Sequence, residues 1–200
     1  MRSVRLALTV LSLCTSAAAA TVDIEVRGRD GKALSEAVVF LESASARAAA
    51  RPVHGAEVEQ ADKRFTQRVT VVTAGSAVSF PNRDRVRHHV YSFSPVKPFE
   101  LKLYIGTPAN PVVFDKPGIA VLGCNIHDTM AAWVVIVDTP FYAQTGSNGR
   151  ARLQDVPPGA YRLRSWHPDL PVGAPATDQA LVLGVAGDSA NVQLPVPGIR

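Results

Sequence analysis

Sulfur is scarce in this chain, whose 200 residues include two cysteines, Cys14 and Cys124, and two methionines, Met1 and Met130. No Cys-x-x-Cys-His sequence is present, which excludes covalent attachment of a c-type haem. The formal net charge is only +4, and such a small excess of basic residues argues against a nucleic-acid-binding protein. No apolar run reaches the ~20 residues that a membrane-spanning helix needs. We therefore expect a protein that does not span a membrane.

The first 20 residues have the layout of a cleavable export signal. Arg2 and Arg5 precede a short apolar run, 6–13, and small residues follow up to Ala20. This layout predicts that residues 1–20 are a signal peptide that is cleaved after Ala20. The mature protein is then expected to be soluble and periplasmic.

Removal of the predicted signal would leave Cys124 and Met130 as the only cysteine and the only methionine. A single cysteine cannot form an internal disulfide, and a lone thiol outside the cytoplasm is prone to oxidation unless it is buried or bound. Both residues lie in CNIHDTM, a Cys-x-x-His-x-x-Met sequence with His127 between them. This coincidence favours a metal site over three unrelated residues.

The rest of the chain has the pattern of β-strands. Short alternating or valine-rich segments recur, and glycine and proline separate them. Many short strands with such punctuation predict an all-β fold built from sandwiches. The stretch 43–50 has a helix-forming composition and is predicted to be a loop or a short helix. The predicted strands include 22–26, 37–41, 69–72, 77–80, 99–104, 119–122, 133–137, 161–166 and 180–185.

The segment ARLQDVPPGAYRLRSWHP, near the C-terminus, is predicted to form a strand, a Pro-Pro-Gly turn and another strand. The segment resembles the late strands of carboxypeptidase regulatory-like β-sandwiches. The residues that fit that family's pattern are Gly149, Pro158, Gly159 and Tyr161.

The predicted division of the chain follows from these patterns. After the signal peptide we expect a first domain at 21–139 and a second β-sandwich segment at 140–200. Because 26–41 also resembles the opening strands of the carboxypeptidase regulatory-like module, the second domain could recruit 22–42. The first domain would then be an insertion in the second.

Two segments resemble the copper-binding segments of cupredoxins of the plastocyanin and amicyanin type. FPNRDRVRHHVYSFS resembles the segment with the first histidine ligand, and Asn82, His88 and Val90 fit its pattern. CNIHDTMAAWVVIV resembles the later segment, which ends in a final apolar strand. The resemblance covers residues 60–138, and within the family the chain looks closest to exported methylamine utilisation proteins.

The cupredoxin resemblance implies a Greek-key β-sandwich, here followed by a small second β-sandwich module. It implies one type 1 copper held by His88, Cys124, His127 and Met130. It also implies a one-electron carrier without enzymatic activity, which docks a redox protein near His127. Zinc would suit the same cysteine and histidines, but zinc gives no reason for a methionine.

The chain departs from the family's pattern at two places. His89 stands where relatives have an asparagine that ties the two ligand loops together, so that link is in doubt. Since neighbouring strand residues point to opposite faces, only one of His88 and His89 can face the metal, and the family's pattern selects His88. Leu122 and Gly123 precede the cysteine, where relatives often carry an aromatic residue.

A docking surface has two candidate components. Arg83, Arg85 and Arg87 alternate along the chain, and they form either a solvated loop face or a docking patch for an acidic redox partner. Ile126 and Ala131 flank the Cys-x-x-His-x-x-Met loop and could add a weak apolar contact surface.

Three rival interpretations use the same residues. A multi-copper enzyme would need His-x-His pairs, which the chain lacks, and a cysteine nucleophile with a histidine base is disfavoured by the methionine. A non-catalytic structural or partner-binding exported protein on a cupredoxin scaffold ranks second to the electron carrier. The remaining aromatic and imidazole groups, namely His54, His167 and Trp133, are expected to be surface, structural or core residues.

Overall fold

The computed structural model describes residues 19–198, and nearly all of their regular secondary structure is β-strand. The all-β prediction is therefore confirmed. The predicted signal peptide lies outside the described residues except for its last two alanines, and Ala20 already begins a strand. No helix among the described residues has the length and apolar character to cross a membrane.

Seventeen strands and one short helix make up the described chain. Each segment predicted from alternation overlaps one of these strands. The elements are β1 (Ala20–Arg27), β2 (Val38–Glu42), α1 (Ala44–Ala49), β3 (Ala56–Glu57), β4 (Gln60–Ala61), β5 (Arg64–Phe65), β6 (Val69–Thr73), β7 (Ser76–Ser79), β8 (His88–Ser92), β9 (Phe99–Tyr104), β10 (Val112–Phe114), β11 (Gly118–Cys124), β12 (Ala131–Val137), β13 (Tyr142–Gln144), β14 (Arg150–Val156), β15 (Gly159–Trp166), β16 (Thr177–Leu183) and β17 (Asp188–Gln193).

The stretch 43–50 forms the helix α1, a single short segment. Ser43 caps it, since its hydroxyl oxygen accepts a hydrogen bond from the Ala46 amide at 3.1 Å. Ala46 is the one buried residue of the helix. A helix of this length contributes little by itself and covers only the end of β2.

The first sandwich consists of a five-stranded sheet in the order β6-β12-β11-β8-β9 and a three-stranded sheet in the order β10-β7-β3. Alternation along β11 and β12 decides which side chains enter its core. Leu122 and Cys124 of β11 and Val134 and Ile136 of β12 point into one buried cluster, together with Met130. The Cys-x-x-His-x-x-Met sequence therefore lies at one end of this core.

The second sandwich consists of the sheets β14-β1-β17 and β13-β2-β15-β16. Among the described strands, β1 pairs with β14 and β17, and β2 pairs with β13 and β15. The N-terminal strands thus share their sheets with strands beyond residue 140. All residues of β2 from Val38 to Leu41 are apolar and buried, so both faces of this strand are covered.

The two sandwiches pack together through the outer face of the five-stranded sheet. Trp133 lies 6.3 Å from Trp166, measured between ring centroids, and the guanidinium of Arg68 lies over the Trp133 ring at 5.1 Å. Arg68 also binds Glu36 at 3.3 Å and forms an ion pair with Asp169. Trp133 therefore packs in the contact between sandwiches, in keeping with the core role expected for it.

Candidate metal centre

Two neighbouring strands and the loop after one of them bring three metal-binding side chains together. His88 begins β8, Cys124 ends β11, and His127 lies in the loop that leads to β12. β8 and β11 are antiparallel neighbours, with Val90 opposite Cys124. Potential ligand atoms of His88, Cys124 and His127 all lie within 4.8 Å of one another.

The imidazole of His88 is completely buried and has a defined orientation. Its Nε2 lies 2.7 Å from Asp84 Oδ2, and its Nδ1 lies 3.7 Å from Cys124 Sγ. An ionised carboxylate only accepts hydrogen bonds, so Nε2 carries the proton and donates it to Asp84. The lone pair of Nδ1 is then directed toward the cysteine sulfur.

Asp84 is held in turn by a hairpin from a distant part of the chain. Its two carboxylate oxygens accept hydrogen bonds from the amides of Asp62 at 2.8 Å and Lys63 at 2.9 Å. Both of these residues have positive φ, as in the tight turns of two-residue hairpins. Burial raises the pKa of Asp84, but the hydrogen bonds from His88, Lys63 and Asp62 outweigh it, and the net pKa is lowered. The carboxylate therefore stays ionised beside His88.

Asn82 shapes the loop between Asp84 and the histidine. Its side-chain amide is buried and donates hydrogen bonds to the carbonyls of Val86 at 2.9 Å and Tyr104 at 3.0 Å. Its oxygen accepts one from the Asp84 amide at 2.9 Å. The Asn82 side chain thus connects the loop to β9 and holds Asp84 within hydrogen-bond distance of His88 Nε2.

Cys124 and Met130 enclose a short turn and are both buried in the same apolar cluster. The amide of Met130 donates to the His127 carbonyl at 2.9 Å, which closes the turn. Met130 is 2% exposed, so its thioether lies in the apolar cluster that also contains Cys124 and not in solvent. These neighbours exclude water from the sulfur and leave it available as a soft ligand.

His127 carries the observation that best distinguishes a metal site from ordinary packing. Its Nδ1 is buried and has no hydrogen-bond partner among residues 19–198. A buried polar atom without a partner costs about 1–3 kcal/mol, so native structures rarely leave one. The His127 ring lies 5.1 Å from the His88 ring, measured between centroids. A ligand shared with His88 and Cys124 would satisfy Nδ1.

The separation of the donor atoms fits a first-row metal ion. A sulfur and a nitrogen bound at about 2.3 and 2.0 Å, with an angle of roughly 120° between the bonds, would lie about 3.7 Å apart. The observed separation between Cys124 Sγ and His88 Nδ1 is 3.7 Å. A thiol–imidazole hydrogen bond would have a similar length, but it would leave His127 Nδ1 unpaired. The donor set of one thiolate and two imidazoles suits a type 1 copper site.

His89 occupies the opposite face of β8 from His88. Its Nε2 lies 2.8 Å from Glu100 Oε1 on the neighbouring strand β9, so its side chain does not reach the cysteine loop. The backbone makes the connection instead, because the Asn125 amide donates to the His89 carbonyl at 3.1 Å. The two ligand segments are therefore linked without the asparagine side chain that relatives use.

The other residues singled out in the sequence lie away from the centre. His54 is exposed, whereas His167 is buried between the Ser35 carbonyl and the Asp169 amide, at 2.9 and 3.0 Å. Burial lowers the pKa of His167 and favours this neutral, hydrogen-bonded form. Both histidines are thus surface or structural residues.

Sequence reasoning missed the part that Asp84 plays. The signal was present, since Asp84 and His88 are four residues apart and fall on the same side of an alternating segment. What the sequence could not show is the hairpin at Asp62 and Lys63, whose amides bind the carboxylate.

Comparisons with known proteins give matches only among solved structures. No protein-family model matches this chain, and a search of curated proteins finds no match. A reduced amicyanin variant is 21% identical, with a TM-score of 0.38, and the match covers 50% of this chain and 98% of the amicyanin. A purple cupredoxin from Nitrosopumilus maritimus is 16% identical with a TM-score of 0.36, and the match covers 41% of this chain and 99% of the cupredoxin.

A third match is the Cu-containing nitrite reductase of Thermus scotoductus SA-01, at 24% identity and a TM-score of 0.39. That match covers 45% of this chain and only 26% of the reductase. The structural neighbours are thus cupredoxins and a copper enzyme, at low identity and low TM-scores. The case for a metal therefore depends on the atoms of the site. The carboxypeptidase regulatory-like resemblance of the C-terminal segment stays a prediction.

Proposed function

We propose that this chain is an exported one-electron carrier with a type 1 copper site formed by His88, Cys124, His127 and Met130. The observation that supports it most directly is the buried Nδ1 of His127, which has no partner among residues 19–198, on a side chain that lies in one cluster with Cys124 and His88. Bound copper would supply one-electron redox chemistry between Cu(II) and Cu(I). The thiolate, imidazole and thioether donors suit both oxidation states.

The protein's own contribution is to hold its donor atoms still. Asp84 fixes the ring of His88 through a hydrogen bond, and Asn82 and the hairpin amides fix Asp84. The apolar cluster around Cys124 and Met130 excludes water. A site with little freedom to move needs little rearrangement when its charge changes, which favours rapid electron transfer.

Electrons are proposed to enter and leave at His127, the one histidine of the cluster that is partly exposed. Ile126 beside it is 48% exposed, and Ala131 is also exposed. A small apolar surface of this kind suits brief docking of a redox partner. Cys124 also lies 3.7 Å from His88 Nδ1, with Asp84 bound to the other ring nitrogen, which resembles a cysteine nucleophile with its base. Cys124 is only 3% exposed, so a substrate would not reach its sulfur, and we propose no enzymatic reaction.

The test is the visible absorption of the mature protein after loading with Cu(II). We expect an intense thiolate-to-copper band, which Cys124→Ser abolishes and the exposed-histidine control His54→Gln retains. Circular dichroism would verify that each variant is folded. Absence of the band in the parent protein, together with a thiol that titrates freely, would reject the copper site and favour a structural or partner-binding scaffold.

We also propose that the second module is discontinuous, with residues 22–42 and the segment beyond 140 forming one sandwich and the metal-binding sandwich inserted between them. The pairing of β1 with β14 and β17 and of β2 with β13 and β15 supports this division.

A further inference from the structure

A cleft of about 720 Å³ opens between the two sandwiches, away from the proposed copper ligands. One wall is the outer face of the five-stranded sheet, and the other consists of β2, β15 and the loop before β16. Ligand sites occur preferentially at such junctions, and this volume is within the range of sites for small molecules. The lining includes Phe40, Tyr91, Phe93, Pro95, Pro117 and Val172.

The charged side chains that line the cleft form an ion pair with each other. Within the described range 19–198, Glu42 and Arg164 are the only charged residues that line it. Arg164 Nη1 donates to Glu42 Oε2 at 3.3 Å, and Nη2 donates to the Ala176 carbonyl at 3.2 Å. The buried Nε forms an ion pair with Asp178 Oδ1 at 2.7 Å. Because this guanidinium already has its partners, the cleft offers no free charge to an anion or a cation. A charged ligand would lose its hydration without compensation, so the lining favours an uncharged one.

The aromatic residues of one wall are arranged as a platform. The rings of Tyr91 and Phe93 are 4.8 Å apart with an angle of 33° between their planes, and Phe93 is 80% exposed. Gly123 makes this arrangement possible, because a Cβ at that position would lie 2.7 Å from Tyr91 Cζ and Oη. The exposed face of Phe93, backed by the tilted ring of Tyr91, favours stacking of a planar aromatic molecule.

Two hydroxyl groups supply hydrogen-bond donors in this apolar lining. The hydroxyl of Tyr91 makes no hydrogen bond to another residue within 19–198, and Ser94 Oγ accepts from the Val121 amide at 2.8 Å, which leaves its own proton free to donate. Of the two, the Tyr91 hydroxyl belongs to the aromatic platform itself, and a phenolic O–H can donate to a carbonyl oxygen. A mostly apolar site with few such donors would select the orientation of a carbonyl-bearing ring.

We propose that this cleft binds an uncharged, planar aromatic carbonyl compound of the quinone class, stacked on Phe93 and hydrogen-bonded to the Tyr91 hydroxyl. The site does not depend on the copper, because none of the lining side chains belongs to the four proposed ligands. It lies on the other face of β8 and β11 from His88 and Cys124.

The probe is duroquinone, whose fully substituted ring does not add thiols, and its binding is measured by calorimetry on the full mature chain. We expect saturable binding of one molecule per chain, with the same affinity in copper-loaded and metal-free protein. Durene, the same methylated ring without carbonyls, is expected to bind about 2- to 10-fold more weakly, as the loss of one hydrogen bond predicts.

Three variants separate this site from general hydrophobic binding. Tyr91→Phe should weaken duroquinone binding about 2- to 10-fold and leave durene binding unchanged. Val172→Glu, at a lining valine that is 81% exposed, should weaken both probes at least ten-fold. Val182→Glu introduces the same charge at a valine that is 74% exposed and outside the cleft, and it should change neither affinity.

Non-saturable binding by the parent protein would overturn the proposal. Equal weakening by Val172→Glu and Val182→Glu would also overturn it, because binding would then reflect net charge. The proposal for the copper site is unaffected by either result, since its own test is the absorption of the thiolate complex.

Discussion

His88 is oriented by a carboxylate that precedes it by four residues, and that carboxylate is held by amides 21 and 22 residues away from it in the sequence. Such an arrangement fixes both the tautomer and the rotation of the ring. The proton resides on Nε2, and Nδ1 is left as a lone-pair donor at 3.7 Å from Cys124 Sγ. Asp84 would therefore act on a bound metal through the histidine and not as a ligand.

Asp84→Asn is expected to weaken copper binding about 10- to 100-fold while the visible thiolate band remains. The asparagine amide cannot accept hydrogen bonds at both of its terminal atoms, so it cannot satisfy Asp62, Lys63 and His88 together. The measurement is competition for Cu(II) with a chelator of known affinity. Asp128→Asn removes the same charge from an exposed position in the ligand loop and is the matched control. Equal affinities for Asp84→Asn and the parent would contradict a positioning role.

At this scale the sequence indicated the donor types but not the atoms that orient them. The spacing of Cys124, His127 and Met130 and the paired histidines were enough to nominate candidate ligands. The unpartnered Nδ1 of His127 and the hydrogen bond from His88 to Asp84 depend on side-chain orientation, which spacing does not determine. Spacing also could not predict that the backbone hydrogen bond from Asn125 to His89 would join the two loops in place of an asparagine side chain.

Among the elements, the longer strands could be predicted from alternation and the shortest could not. β3, β4 and β5 contain two residues each, too few to show any period. β17 has the sequence DSANVQ, in which most residues have low β-propensity, and it is a strand because it pairs with β1. Tertiary pairing of this kind is not visible in a local window of sequence.

Substitution of Gly149 by alanine should destabilise the second sandwich without destabilising the first. Its φ is +71°, and a Cβ there would lie 2.6 Å from the Val26 carbonyl oxygen and 2.9 Å from the Leu34 nitrogen. Both neighbours are backbone atoms of the N-terminal segment and cannot rotate away. Gly149→Ala should therefore cost about 1–3 kcal/mol more than a glycine substitution that meets no such atoms.

Gly31→Ala is the matched control, because Gly31 has a φ of +77° and open space around its missing side chain. Denaturant unfolding gives the difference in stability between the two variants. If the second module is discontinuous, Gly149→Ala should speed hydrogen exchange in β1 and β17 and leave β8 and β11 protected under native conditions. Equal loss of protection in β8 and β11 would argue that the sandwiches unfold as one unit.

For the whole molecule, the distribution of charge matters more than the net value of +4. Arg83 is paired with Glu59 at 2.9 Å. Arg85 and Arg87 are exposed, and neither forms an ion pair with a described carboxylate. These two arginines lie in the loop that leads into His88 at the start of β8. Unpaired positive charge beside the proposed electron-transfer site would steer an acidic partner toward it.

Reversal of both charges, in Arg85→Glu/Arg87→Glu, should slow oxidation of the Cu(I) protein by the anion ferricyanide at low ionic strength. Screening shortens the reach of a charge to about 3 Å at 1 M salt, so the rates of variant and parent should converge there. Stopped-flow absorption follows the reaction directly. The control Arg29→Glu/Lys32→Glu makes the same change in net charge at exposed positions on the second sandwich. If the control slows the reaction as much, net charge accounts for the effect. A docking patch at Arg85 and Arg87 requires the first pair alone to matter.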